Sequence, residues 1–208
     1  MIKALKIIGR AIRYWYDELY LLMFLNLAWF LLQLPIVTAP VATATMYVVA
    51  QKVVDKEYLE LRPILIDLRK MFLPGLTWGI ANIVVVGVTV VNFIAYQNMF
   101  GTIWIILRIA WGCIALVWIS ANLFYWPFWL VQTDRRMVTT YRNSFVFLLK
   151  NPGFGFSVVA LSIVLIILCV LTTLPLIVLL ISWLALIGVL AVDEGLKDMG
   201  NPKFVEGG

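Results

Sequence analysis

The chain has 208 residues, of which 63% are hydrophobic and only 13% are charged, and it carries a formal net charge of +5. A soluble domain needs about 25% charged residues to cover its surface with groups that water can hydrate. The composition therefore excludes an ordinary soluble globule and predicts a chain that is solvated mainly by lipid.

Six apolar runs follow one another along the chain. They cover residues 19–36, 41–54, 72–96, 103–131, 154–172 and 176–192. At 1.5 Å per residue, about 20 helical residues cross a hydrocarbon core of ~30 Å, and most of the runs meet that length. The run 41–54 is short and rich in threonine. It either crosses the membrane completely or enters and leaves on the same side.

The basic residues lie before, between and after these runs. Fifteen of the sixteen fall in four groups, at residues 3–13, 52–70, 135–150 and 197–203. The positive-inside rule places all four groups in the cytoplasm, and membrane orientation explains them without a nucleic-acid partner. We therefore predict an all-α integral membrane protein. Its five to six transmembrane segments form a helical bundle of three hairpins, with both termini cytoplasmic.

The chain is predicted to form a single membrane domain. Its parts are an amphipathic interfacial helix (1–18), a first hairpin (19–54), a cytoplasmic loop (55–71), a second hairpin (72–131), a cytoplasmic amphipathic helix (132–153), a third hairpin (154–192) and a tail (193–208). In the first helix, Leu5, Ile8, Ile12 and Trp15 recur at helical spacing, a pattern typical of helices that lie among lipid headgroups. In the second amphipathic helix, apolar residues at 137, 141, 145, 148 and 149 predict a face that packs on the bilayer or on a partner.

The first hairpin carries a recognisable motif around its turn. The motif consists of Asn26, Trp29, Pro35, Thr38, Pro40 and Tyr47, within the segments N-L-A-W and L-P-I-V-T-A-P. This stretch resembles the opening of the YesL family of bacterial multi-pass membrane proteins, which carry a domain of unknown function. The family has glycine where this chain has Ala39. The resemblance implies a bacterial cell-membrane protein, and genes of this family often lie beside those of sugar importers.

Four polar residues inside the apolar runs are candidates for a functional site. Arg108 is the only charged residue more than two residues from the end of a run, and a central arginine costs ~2.5–3.5 kcal/mol on insertion. It lies near the predicted outer end of its helix, so we favour snorkelling to the lipid phosphates over a direct functional role. Asn82, Asn92 and Asn122 either form hydrogen bonds between helices, which we favour, or line a polar path.

Tryptophan recurs every seven residues in the fourth run. Because seven residues make nearly two helical turns, these side chains share one face of the helix. The series predicts a packing seam or a lipid-facing stripe and consists of Trp104, Trp111, Trp118 and then Tyr125.

Residues typical of enzyme sites are missing from the sequence. There is no histidine, and the two cysteines lie in apolar runs without other metal ligands at suitable spacing. All the carboxylates lie in loops, tails or helix ends, which argues against a proton- or sodium-coupled carrier. We therefore expect no enzyme activity, no cofactor and no bound metal.

Three functions remain open. The first is a non-enzymatic accessory or assembly subunit of a bacterial membrane complex, such as a sugar importer. The second is a conduit or exporter for a small solute, lined by Arg108 and the three asparagines. The third is a structural oligomer that organises the membrane. The expected partners are the lipid bilayer and other membrane subunits or further copies of this chain.

Overall fold

The computed structural model describes residues 1–199, so residues 200–208 of the predicted tail lie outside the described residues. The described part is helical and contains no strand, which confirms the all-α prediction. Its helices are α1 (Ile2–Asp17), α2 (Leu19–Leu32), α3 (Ala39–Val54), α4 (Leu61–Lys70), α5 (Phe72–Tyr96), α6 (Thr102–Val131), α7 (Met137–Lys150), α8 (Pro152–Thr172), α9 (Leu174–Val178) and α10 (Leu180–Met199).

Three helices within residues 1–199 are long and apolar enough to cross a membrane, namely α5, α6 and α8. Their bounds agree with the predicted runs to within two residues. α6 contains 30 residues and is therefore about 45 Å long. α2 is apolar but has only 14 residues. Six transmembrane segments and their arrangement as three hairpins remain a prediction.

α10 forms the centre of the bundle. It packs against α1, α3, α6 and α8, and its residues 185–192 are all buried. A helix that is apolar on all sides is stable only when other helices or lipid surround it. Gly188 permits this close packing, because a methyl group there would lie 2.8 Å from the Leu123 carbonyl oxygen and 3.2 Å from the Tyr47 ring.

α2 and α3 form a hairpin whose tip meets the beginning of α5. The Thr38 hydroxyl donates to the carbonyls of Leu32 (2.6 Å) and Pro35 (2.8 Å) and so closes the turn. Pro40 lies against α5, where a methyl group at Gly79 would come within 2.7 Å of its ring. The hairpin tip therefore reaches the first third of α5 and not its far end.

α1 lies along α10 in the opposite direction. Lys3 Nζ pairs with Asp198 at 2.6 Å, and Arg10 pairs with Glu194 at 3.0 Å. The Asp198 carboxylate accepts a hydrogen bond from Lys3 and raises the pKa of that amine above its ordinary value. The face of α1 that is buried consists of Ala4, Ile7 and Ala11, whereas the predicted apolar residues Leu5 and Ile12 are about half exposed.

The last predicted run, 176–192, is divided into two helices. α9 ends at Val178, and α10 begins at Leu180 after a residue with φ of −136°. The helix is therefore interrupted inside an apolar segment that carries no glycine or proline at the break. Side chains of α1 and α2 form hydrogen bonds next to this interruption, as described below.

Candidate functional site

Two Trp-x-x-x-Asn segments cross-link α5 and α6. Trp78 Nε1 donates to Asn122 Oδ1 at 2.8 Å, and Trp118 Nε1 donates to Asn82 Oδ1 at 2.9 Å. Each asparagine Nδ2 also donates to the carbonyl of the tryptophan four residues before it, at 2.9 Å in both helices. The arrangement is thus reciprocal, because on each helix the tryptophan donates to the other helix and the asparagine accepts from it.

Tyr141 joins α7 to this pair. Its hydroxyl donates to Asn122 Oδ1 at 3.2 Å and accepts from Asn82 Nδ2 at 3.5 Å. Its ring stacks on Trp118 with centroids 4.6 Å apart and lies at the same distance from the Tyr125 ring. We call Trp78, Asn82, Trp118, Asn122 and Tyr141 the amide–aromatic cluster.

Both amide groups of the cluster are engaged in hydrogen bonds within the chain. Both amide oxygens accept at least one hydrogen bond, and both amide nitrogens donate one within the chain. Polar side chains satisfied in this way cost little to bury, and bonds of this kind between membrane helices contribute about 0.6 kcal/mol each on average. The arrangement fixes three helices relative to one another.

The two other candidate residues lie apart from the cluster. Asn92 Nδ2 donates to the Val88 carbonyl at 2.8 Å, and Asn92 Oδ1 accepts from the Tyr96 hydroxyl at 2.9 Å. Arg108 Nε lies 3.4 Å from the carbonyl of Trp104, one turn closer to the start of α6. The Arg108 side chain thus leans toward the end of the helix that we predict to be outside. The four candidates do not form one continuous row.

The residues of the family-like motif hold the α2–α3 hairpin in place. Trp29 Nε1 donates to Thr43 Oγ1 at 3.0 Å and so bridges the two helices. Pro35 and Thr38 form the turn, Pro40 packs on α5, and Tyr47 is buried beside Gly188. The motif therefore corresponds to the turn and the contacts of one hairpin.

Asn26, the first residue of the motif, contacts a helix outside the α2–α3 hairpin. It is fully buried, its Nδ2 donates to Ser182 Oγ at 2.7 Å, and its Oδ1 accepts from the Ser182 backbone N–H at 3.2 Å. Trp15 Nε1 donates to the same hydroxyl at 3.0 Å. The first turn of a helix has backbone N–H groups without partners, so Asn26 caps α10 from another helix.

Two polar features were not predicted from the sequence. Gln132 is buried, and its side-chain amide donates to Thr140 and accepts from Asn143 Nδ2 at 2.8 Å, which links the end of α6 to α7. The amide–aromatic cluster was also missed, although the Trp-x-x-x-Asn repeat at 78–82 and 118–122 was the signal that could have revealed it.

The possible metal ligands and the two cysteines lie apart from the amide–aromatic cluster. Among residues 1–199, no three His, Cys, Asp or Glu side chains come together as possible metal ligands. Cys113 is exposed on α6 and Cys169 is buried on α8.

Comparison with known proteins adds no relative to this description. No family model, no curated protein and no solved structure matches the chain. The YesL resemblance therefore remains a prediction from the motif residues, and function has to be argued from the geometry.

Proposed function

We propose that the protein is a multi-pass protein of the bacterial cell membrane that works as a non-enzymatic accessory or assembly subunit. Its partner would be a larger membrane complex, such as a sugar importer. The proposal rests on one observation, the exposed apolar surface of the α5–α6 hairpin, together with a topology that follows from the charges.

In the proposed topology, α5, α6 and α8 cross the bilayer and α10 returns the chain to the cytoplasm. The hairpin α2–α3 enters from the cytoplasmic side and leaves on the same side, because Pro40 near its tip contacts only the first third of α5. The tip is suited to lipid, since Leu34 and Ile36 are 75% and 76% exposed and residues 33–40 carry no charge. Every basic group except Arg108 then lies on the cytoplasmic side.

The α5–α6 hairpin has little contact with the remainder of the chain along its apolar length. In the most apolar stretch of α5 only 11% of the residues are buried, and in that of α6 none is. Gly87 and Gly112 lie exposed on these helices, and a methyl group at either would touch no other part of the described structure. Small residues at such positions let a second membrane helix approach closely.

The conduit hypothesis receives less support from the side chains that suggested it. Asn82 and Asn122 use their amides within the amide–aromatic cluster. Asn92 bonds to its own helix and to Tyr96, and Arg108 leans along α6. We therefore rank an accessory role first and keep a solute conduit as the second candidate.

The direct test is affinity purification of the tagged full-length protein from its native membrane in mild detergent, followed by mass spectrometry. Stoichiometric recovery of permease or other complex subunits is the expected result. Recovery of the protein alone would contradict the accessory role and would direct attention to flux assays. Recovery of only a second, differently tagged copy would favour the structural oligomer.

Matched variants locate the contact surface. Gly112→Leu and Gly87→Leu place a bulky side chain on the exposed faces of α6 and α5 and should reduce partner recovery severalfold. Ala160→Leu makes a similar change on the exposed side of α8 and should leave recovery unchanged. Equal recovery with all three variants would exclude the α5–α6 surface as the partner site.

A further inference from the structure

A cavity of about 220 Å³ lies beside the amide–aromatic cluster. Helices α3, α5, α6, α8 and α10 all contribute to it. Most of its lining is aliphatic, and the polar groups are few: Thr43, Tyr47, Trp78, Asn122 and Ser162. None of the described residues that line it is an arginine, lysine, aspartate or glutamate.

Two hydroxyl groups in this lining have no hydrogen-bond partner. Ser162 is only 3% exposed, and its Oγ is buried without a partner, whereas a serine in a membrane helix commonly bonds to the carbonyl four residues earlier. Tyr47 is 5% exposed, and its hydroxyl makes no hydrogen bond within residues 1–199. The Ser162 hydroxyl is fully buried without a partner, which costs about 1–3 kcal/mol, whereas the Tyr47 hydroxyl keeps some accessible surface. A ligand that supplies an acceptor to both would be favoured here.

The other polar groups of the lining already form hydrogen bonds within the chain. Thr43 Oγ1 donates to the Ala39 carbonyl and accepts from Trp29, while Asn122 belongs to the amide–aromatic cluster. Recognition would therefore depend on two hydroxyls that offer hydrogen bonds to oxygen. No cation in the lining could balance a negatively charged ligand, and no carboxylate could balance a positively charged one.

The depth of the cavity further narrows the class of ligand. Asn122 lies nine residues before the end of α6, and Ser162 lies ten residues after the start of α8, which is roughly 14–15 Å in each case. In the proposed topology, both residues lie within the cytoplasmic half of a ~30 Å hydrocarbon core, where the Tyr141 side chain reaches Asn122 from α7. Phospholipid headgroups stay at the interface, whereas a neutral lipid can bring a hydroxyl or carbonyl oxygen to this depth.

A path from the lipid also exists. α6 and α8 contact each other over only a short length. Ile119 of α6 and Ile166 of α8 line the cavity, and Ile119 is 54% exposed while Ile166 is partly exposed. The volume is below the ~300–1,000 Å³ of pockets that enclose a whole small-molecule ligand. A segment of a lipid that enters between α6 and α8 would fit this space.

We propose that the cleft between α6 and α8 binds a neutral membrane lipid, with its hydroxyl or carbonyl oxygen accepting hydrogen bonds from Ser162 and Tyr47. The position of this cleft within the membrane follows from the proposed crossing of α6 and α8. The proposal does not depend on an accessory role or on any protein partner.

Photolabelling tests this site in the full-length protein reconstituted into phosphatidylcholine nanodiscs. The probe is a diacylglycerol with a photoactivatable diazirine on one acyl chain, and labelled residues are located by mass spectrometry. The expected result is label at Ile163 and Ile166 that unlabelled diacylglycerol displaces saturably. A phosphatidylcholine with the same photoactivatable chain should label Leu168, which is 57% exposed on α8, without saturation. If this phosphatidylcholine does not label Leu168, the result contradicts the proposed crossing of α8.

Single-atom variants test the two hydroxyls. Ser162→Ala and Tyr47→Phe should each raise the diacylglycerol concentration for half-displacement by roughly two- to tenfold, as expected for one hydrogen bond. Ser157→Ala is the matched control, because Ser157 Oγ already donates to the Gly153 carbonyl on the same helix. Ile166→Trp fills the cleft from its edge and should abolish saturable labelling even if a hydroxyl variant folds poorly.

Two outcomes would overturn the proposal. The first is non-saturable label at Ile163 and Ile166, equal to that at Leu168, which would mean that the cleft admits bulk lipid chains only. The second is displacement that is unchanged in Ser162→Ala, Tyr47→Phe and Ile166→Trp, which would place the lipid elsewhere.

Discussion

Asn26 in α2 and Ser182 in α10 are joined by two hydrogen bonds, although they lie 156 positions apart in the chain. One bond uses the Ser182 hydroxyl, and the other uses its backbone N–H in the first turn of α10. The contact lies three residues after the break between α9 and α10. A side chain from the first hairpin therefore stabilises the start of the central helix.

Asn26→Ala should destabilise the protein by about 1–3 kcal/mol, because it leaves the Ser182 N–H buried without its partner. The measurement is the thermal unfolding midpoint of the purified protein in detergent. Asn92→Ala provides the control, since Asn92 bonds to its own helix and its loss should cost about 0.6 kcal/mol or less. Equal effects of the two substitutions would argue against capping by Asn26.

A double-mutant cycle on Trp118→Phe and Asn82→Leu should give a coupling free energy of about 0.6–1.7 kcal/mol, because the two side chains share a direct hydrogen bond of 2.9 Å. Unfolding midpoints of the single and double variants supply the data. The cycle of Trp118→Phe with Asn92→Leu should show coupling near zero. A coupling absent from both cycles would mean that the cluster does not fix α5 to α6.

Gly79→Ala and Gly87→Ala make the same change on α5 but should have different effects on the stability of the protein. At Gly79 the new methyl group would lie 2.7 Å from the Pro40 ring, so we expect overpacking to cost about 1–3 kcal/mol. At Gly87 it would meet nothing within 4 Å, so better helix propensity should leave stability unchanged or raise it by up to ~1 kcal/mol. Thermal midpoints compare the two, and equal midpoints would contradict the contact of the α2–α3 tip with α5.

The Lys3–Asp198 pair should make α1 docking sensitive to alkaline pH. The folded-state pKa of Lys3 is raised above its ordinary value of 10.5, so the contribution of the pair is complete below pH 10.5. It is lost as the pH rises through the higher folded-state pKa. The test compares thermal midpoints of the wild type and Lys3→Met between pH 8 and 12. Their difference should be small and disappear at the alkaline end, whereas a constant difference would exclude this linkage.

Hydrophobic runs and their lengths were enough to predict the three long apolar helices α5, α6 and α8, but not α4, which lies in the predicted cytoplasmic loop 55–71. The predicted run 72–96 coincides with α5, and α6 and α8 begin one and two residues before their predicted starts. Lipid-exposed helices are easy to predict because their apolar residues are continuous and no tertiary contact changes their period. The break at Leu179 could not be predicted, since the groups that stabilise it come from Asn26 and Trp15.

The buried faces of the amphipathic helices were harder to predict. In α7, Leu149 of the predicted apolar face is 78% exposed, whereas Thr140 and Ser144, which lie outside that pattern, are completely buried. Thr140 is buried because Gln132 supplies its hydrogen bond. An apolar periodicity cannot reveal a face on which polar groups satisfy one another. The pairing of Asn82 and Asn122 with tryptophan depends on the crossing of two helices, which a single sequence does not reveal.

The length of α6 has a consequence for the choice of membrane. A helix of about 45 Å in a hydrocarbon layer of ~30 Å must tilt, extend into the headgroup region or thicken the surrounding bilayer. Each of these adjustments becomes less costly as the acyl chains of the lipid lengthen. Because α5 and α6 are cross-linked by the amide–aromatic cluster, they should respond to bilayer thickness as one unit, and lipid chain length should thereby influence how the hairpin presents its exposed faces.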